Sequence, residues 1–177
     1  MKNVDNIRLY YPEYFGFQKY PADQCAVVHK IDEKWGVFSN FAHTPIVENG
    51  VLYDTSERLF QVSKMNCEEA RRLVYEKKGN CKMPARHIAK AHPEWIRDDW
   101  GTVFIDVMKH CLDLKYEQSE EFRNALAESH GLYIVEDQTT HSRKTADCWG
   151  VKRVGDEYLG PNLLGRLLME LREKHGL

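Results

Sequence analysis

The sequence predicts a mainly α-helical single domain with a few short strands. Apolar residues recur at three- and four-residue spacing through most of the chain after Thr55, the period of a helix with one buried face. Short β-prone runs occur at Cys25 to His29, on either side of Asn49-Gly50, and at Leu132 to Val135. No βαβ alternation, internal repeat or low-complexity segment interrupts this pattern, which disfavours a Rossmann architecture. A length of 177 residues suits one domain that encloses a core without staples.

Each element follows from local chemistry. Residues 1–34 mix Tyr10, Tyr11, Tyr14, Phe15 and Tyr20 with Pro12, Gly16 and Pro21. They read as an aromatic-rich N-terminal lead packed on the domain, with a short strand at Cys25 to His29. Asn49-Gly50, between Ile46-Val47 and Val51-Leu52, is a favoured pair for a tight hairpin because both residues tolerate positive φ. Thr55 or Ser56 caps a helix carrying Leu59, Phe60, Val62 and Ser63. Asn66 with Glu69 reads as a capping box opening a second helix through Ala70, Leu73 and Val74, which Gly79 ends. Pro84 sits in the first turn of a short helix that Pro93 stops. From about Asp99, Val103, Phe104, Val107, Met108, Cys111 and Leu112 mark a longer helix. Ser119 caps the next, with Phe122 and Leu126 buried before Gly131. Leu132 to Val135 is a buried strand, Glu136 to Asp147 a polar connection, and Asn162 caps a final leucine-rich helix.

Charge and cysteine usage exclude several functions. Lys plus Arg number 25 against 27 Asp plus Glu, so no global positive field draws in nucleic acid, although a local basic pocket can hold a small polyanion. Five scattered cysteines without a C-x-x-C pair fit reduced thiols in the cytoplasm. The apolar runs are too short for a membrane span, and the N-terminus lacks a signal-peptide core. The histidines form no metal-binding pattern, so no metal and no cofactor is expected.

Glu57 is the first candidate for chemistry. In the first turn of a helix, the macrodipole and free N–H groups favour its anion, which can stabilise an oxocarbenium-like centre or orient a water. A helix-start glutamate chosen for electrostatics alone is the competing structural reading. Gln61 and Lys64 return to the Glu57 face one and two turns later. Lys64 in a dry pocket can serve as an amine nucleophile or, charged, bind phosphate; an exposed helix lysine looks the same in sequence. Phe38-Ser39-Asn40-Phe41 offers rings to stack on a base and an amide to read it, or else a turn anchored by two core rings. Trp100 and Trp149 are further stacking candidates. Asp147, Trp149 and Gly150 suit a ligand wall or a packed turn. Gly160-Pro161-Asn162 gives free N–H groups at a helix start for phosphate or ribose. Arg143, Lys144 and Lys152 flank the Trp149 turn and are expected to hold a phosphate or pyrophosphate. The Glu57 helix start, the Phe38 to Phe41 turn, Trp100, Trp149 and the Asn162 helix start are expected to border one polar pocket.

These residues also carry a family resemblance. The ordered set comprises Gly36 through Phe41, Tyr53 with Ser56-Glu57, Phe60-Gln61 with Lys64, and Trp100 with Met108 and Lys115. It continues with Leu132 and Val135-Glu136, Asp147 with Trp149-Gly150, and Gly160, Asn162-Leu163, Gly165, Leu167 through Met169 and Arg172. Across roughly residues 35 to 173 the chain resembles the NADAR superfamily, also called YbiA-like. The resemblance implies a mostly helical YbiA-like fold and an N-glycosidase, with residues 35–177 as the catalytic domain. Family members act on phosphoribosylated pyrimidine intermediates of riboflavin synthesis or remove ADP-ribose from guanine bases. The implied substrate is therefore a phosphorylated ribosyl or ADP-ribosyl compound, including ADP-ribosylated nucleic acid. By motif position the resemblance assigns catalysis to Glu57, a Schiff-base role to Lys64, and the pocket's aspartate and tryptophan to Asp147 and Trp149. Two departures stand out: Asp147 is two rather than three residues before Trp149, and Lys152 stands where a second glycine is usual. Residues Asp137 to Ala146 also form a longer charged approach with His141, Arg143 and Lys144. The competing functional classes are a noncatalytic ADP-ribose or nucleotide-binding module and a purely structural interaction protein.

Overall fold

The computed structural model describes residues 3–177, with side chains from Val4 onward. Among the described residues there are seven α-helices and seven short strands. In chain order they are α1 (Asn3–Tyr10), β1 (Gln18–Pro21), β2 (Cys25–Val28), β3 (Ile46–Glu48), β4 (Val51–Tyr53), α2 (Ser56–Ser63) and α3 (Glu68–Tyr75). There follow α4 (Lys82–Ala91), α5 (Trp100–Gln118), α6 (Glu120–Glu128), β5 (Tyr133–Glu136), β6 (Lys152–Val154), β7 (Glu157–Gly160) and α7 (Leu163–Lys174). The chain divides into two compact units, one of the residues up to Ser39 with Glu121–Leu177, the other Asn40–Glu120.

In the first unit, β2 pairs in parallel with β5, Cys25 opposite Tyr133 through Val28 opposite Glu136. A three-stranded antiparallel sheet runs β1-β7-β6. Tyr20, Val135 and Tyr158 from these strands form a buried cluster with Val151, which lies just ahead of β6. Helix α7 packs on β5, and Gly165 permits it: a Cβ there would lie 2.0 Å from the Ile134 carbonyl oxygen. The strand at the end of the N-terminal segment appears as expected, whereas α1, β1 and the β6-β7 hairpin do not follow from the helical reading. The hairpin had a signal, because Gly155-Asp156 separates two three- to four-residue strands and Gly155 takes φ 62°.

The second unit holds the expected β3-β4 hairpin, with Asn49 at φ 50° and Gly50 at φ 77°. Its centre is α2, which packs on α3, α4 and α5. Arg58, buried on α2, donates to the carbonyls of Val74, Tyr75, Lys77 and Gly79 and pairs with Asp54. A cation there answers the negative end of α3 and satisfies carbonyls the helix leaves open. The Asn66 capping box does not form. Cys67 is the N-cap of α3, and the Asn66 amide instead donates to the carbonyls of Glu94 and Ile96. Helix α3 also ends at Tyr75, ahead of Gly79, because Arg58 draws the following carbonyls inward.

Candidate active site

The start of α2 is fixed from two sides. Thr55, extended at φ −147° and ψ 151°, caps the helix by accepting from the Arg58 N–H at 3.1 Å. The Glu57 N–H donates to the Asn40 carbonyl at 2.9 Å. Ser56 Oγ donates to Asn40 Oδ1 at 3.1 Å, and Asn40 Nδ2 contacts Met108 Sδ at 3.4 Å. Asn40 is thus a buried bracket that locks α2 to α5, with both ends of its amide engaged.

This bracket places Glu57 in a nearly dry position, 5% exposed. Gln61 Nε2 donates to Glu57 Oε1 at 2.8 Å, one turn along the same face. Among the described residues, no hydrogen bond reaches its other carboxyl oxygen. Burial pushes the Glu57 carboxyl above the ordinary glutamate range, against the pull of Lys82, the Gln61 amide and Lys64. The expected dominance of the helix dipole is therefore corrected: desolvation outweighs it. Lys64, at the C-cap of α2, is shifted the other way, since burial lowers its ammonium below the usual lysine range while Glu57 opposes that shift. Burial thus draws the acid and the amine toward each other and favours the neutral form of both.

Three aromatic candidates fall differently. Phe38 is fully buried, stacked on Trp35 at 5.7 Å and edge-on to Phe122 at 5.8 Å. It is a core ring rather than a base platform. Ser39 follows it with its N–H on the Gly36 carbonyl. Phe41 is partly exposed, with Lys82 Nζ over its ring at 5.6 Å. Trp100 packs on Phe60 at 5.0 Å and is partly exposed.

In the other unit, Asp147 and Gln138 form a reciprocal clasp. Gln138 Nε2 donates to Asp147 Oδ1 at 2.8 Å, and the Asp147 N–H donates to Gln138 Oε1 at 2.9 Å. The same Oδ1 receives the Trp149 N–H at 3.0 Å, so Asp147 sets the turn that presents Trp149. Arg143 lies 3.6 Å from the second Asp147 oxygen; Arg143 and Lys144 are both exposed. A Cβ on Gly150 would meet the Glu136 carbonyl oxygen at 2.5 Å and the Gln138 amide, so its close approach is made to the chain itself. Asn162 likewise departs from expectation. Its side chain is fully buried, donating to the Ile134 carbonyl at 2.9 Å and accepting from the Glu136 N–H at 3.2 Å. The N–H groups of Asn162, Leu163 and Leu164 are taken by the carbonyls of Gly150, Cys148 and Trp149. Hence the start of α7 is closed to an anion.

Lys82, over the Phe41 ring, and Gln138, bonded to Asp147, are not marked by any motif in the sequence. Lys82 carried one weak signal, a lysine in the first turn of a helix where the dipole disfavours it. Gln138 carried none. Among the described residues, no group of three or more His, Cys, Asp or Glu side chains converges as a metal site. No described helix is long and apolar enough to cross a membrane.

The family model described as the NADAR domain matches residues 28–175. N-glycosidase YbiA of Escherichia coli (strain K12) is 34% identical over 146 residues, covering 82% of this chain and 85% of that protein. The chloroplastic riboflavin biosynthesis protein PYRR of Zea mays is 33% identical over 160 residues, covering 82% of this chain and 24% of that protein. The NMR structure of the E. coli protein YbiA superposes with a TM-score of 0.69 at 31% identity, over 87% of this chain and 86% of that one.

Proposed function

The chain belongs to the NADAR domain family, and on that premise we propose that it hydrolyses the N-glycosidic bond between a base or base-like amine and a phosphorylated ribose. The ribose is that of a ribosylaminopyrimidine phosphate or of an ADP-ribosyl group on guanine, including guanine in nucleic acid. Relatives named as an N-glycosidase and as a riboflavin biosynthesis protein support this class of reaction. The observation that carries the mechanism is the placement of Glu57 and Lys64 on one face of α2, where burial raises the carboxyl above the ordinary glutamate range and lowers the amine below the ordinary lysine range.

Such a pair supplies what cleavage of a C–N glycosidic bond requires. The Lys64 amine attacks the anomeric carbon, and the bond to the base breaks with its electron pair moving to the base nitrogen. Glu57 gives that nitrogen its proton. Nζ passes one proton to the Glu57 carboxylate, and the ribosyl-lysine opens as the C1–O4′ bond breaks, O4′ taking that proton from Glu57 and Nζ keeping its other one in a protonated imine. Water then adds to the imine carbon as the Glu57 carboxylate takes its proton. Glu57 returns that proton to Nζ, and the C1–Nζ bond breaks as the new hydroxyl at C1 gives its proton back to Glu57. The free sugar, the lysine amine and the protonated carboxyl are restored with one water consumed. Gln61 holds Oε1 and fixes the direction of the second oxygen. Phe41 and Trp100 offer ring faces to the base; in the other unit, Asp147 positions Trp149. Free thiols at all five cysteines accord with action in the cytoplasm.

Parallel incubation with a ribosylaminopyrimidine 5′-phosphate and an ADP-ribosylated guanine oligonucleotide, read by release of free base, tests this function. Release from one of them is expected. Binding of both without release from either overturns catalysis in favour of the noncatalytic nucleotide-binding module.

A further inference from the structure

Resting on that N-glycosidase reading, we propose that Lys82 selects substrates carrying a phosphate on C5 of the ribose, holding it beside Glu57 and above the Phe41 ring. Lys82 opens α4, where a positive charge opposes the helix dipole. Helix stability therefore does not account for a lysine at that position. Its side chain is exposed, with Nζ 5.6 Å from the centre of the Phe41 ring. Among the described residues, no carboxylate forms an ion pair with it.

The backbone explains why this cation belongs to the site. Phe41 directly follows Asn40, whose carbonyl receives the Glu57 N–H at 2.9 Å. The ring under Lys82 and the start of the Glu57 helix are thus adjacent along the chain and held by the same bracket. Of the two lysines that act on Glu57, Lys82 exerts the larger pull.

The different burial of Lys64 and Lys82 assigns them different work. An enclosed amine gives up its proton more readily, which suits attack on carbon. An exposed ammonium acts as a point charge, a common way in which lysine binds phosphate. A ribose with its anomeric carbon at Glu57 and Lys64 carries its C5 substituent to one side of the ring. A cation beside the carboxyl but not bonded to it meets that substituent. Both a 5′-monophosphate and the proximal phosphate of an ADP-ribosyl group present this chemistry.

The test compares a ribosylaminopyrimidine 5′-phosphate, the same riboside after phosphatase treatment, and an ADP-ribosylated guanine oligonucleotide. Wild type, Lys82→Ala and Lys82→Arg are assayed on each, with Lys82→Gln as a second neutral variant that retains most of the stem. Wild type is expected to prefer phosphorylated over dephosphorylated riboside by about 10- to 100-fold in kcat/KM, the scale of a hydrogen bond to a charged group. In Lys82→Ala that preference collapses, chiefly through KM, while Lys82→Arg keeps it. Activity confined to the oligonucleotide, with the same loss in Lys82→Ala and rescue in Lys82→Arg, identifies the ADP-ribosyl phosphate as the source. A preference left intact in Lys82→Ala, or an equal loss on riboside and phosphate ester, overturns the assignment. Calorimetric titration with inorganic phosphate separates this inference from the N-glycosidase reading. If wild type cleaves nothing, that reading fails, whereas phosphate binding abolished in Lys82→Ala still supports the subsite. Equal binding by both proteins, or none by wild type, refutes it.

Discussion

Replacing Asn162 with alanine should unfold the protein more than it impairs substrate binding. Asn162 is fully buried, donates to the Ile134 carbonyl at 2.9 Å and accepts from the Glu136 N–H at 3.2 Å. Alanine removes both bonds and leaves two buried backbone groups without partners, at about 1–3 kcal/mol each. It must also adopt the left-handed backbone that Asn162 holds at φ 53° and ψ 39°, which asparagine tolerates better, adding about 1 kcal/mol. The total is about 3–7 kcal/mol, against about 5–15 kcal/mol for a typical domain. Urea denaturation should show a large fall in midpoint, and Asn162→Gly should recover about 1 kcal/mol by relieving the backbone while leaving the bonds broken. KM of the remaining folded enzyme should hold. A stability change below about 1 kcal/mol together with a tenfold rise in KM would refute this reasoning and return Asn162 to the substrate.

Three further outcomes follow from the site. Burial raises the Glu57 carboxyl, so the native state holds that proton more tightly than the unfolded chain. Stability is then lost as pH rises from the ordinary glutamate value through the raised native one. Glu57→Gln should therefore have the higher urea midpoint at pH 8, with the difference vanishing below the ordinary glutamate range. Borohydride added during turnover should trap a sugar-mass adduct on Lys64 of the wild type and none in Lys64→Ala; failure on a good substrate would favour direct attack by a carboxylate-oriented water. Arg143→Ala with Lys144→Ala should weaken use of phosphorylated substrates with circular dichroism unchanged, and unaltered kinetics would remove these residues from phosphate binding.

Residues governed by local rules were legible in the sequence. The Asn49-Gly50 hairpin, the Thr55 cap and the long helix after Asp99 depend on neighbours within a few positions, and all three appear. The Asn66 capping box failed because the side chain found the carbonyls of Glu94 and Ile96, about thirty residues away. Helix and strand periodicity likewise gave no account of β1, which gains its identity only by pairing with β7. The functional reading shows the same divide. Glu57, Gln61 and Lys64 share a helix face by spacing alone, and the structure joins Gln61 to Glu57. The burial that raises the Glu57 carboxyl, against the expected pull of the helix dipole, depends on the tertiary bracket of Asn40 and Met108. Phe38 and Asn162 have the residue types of ligands, but burial and long-range partners decide that they serve the core.

The central claim is that the Glu57 carboxyl moves the proton that lets the base depart. Glu57→Gln preserves the side-chain shape and its neighbourhood while removing that proton transfer. The direct measurement is kcat for this variant on a ribosylaminopyrimidine 5′-phosphate or an ADP-ribosylated guanine oligonucleotide that the wild type cleaves. A fall of about 10² or more is expected, the scale of a lost general acid–base group; a kcat near that of the wild type would contradict the account.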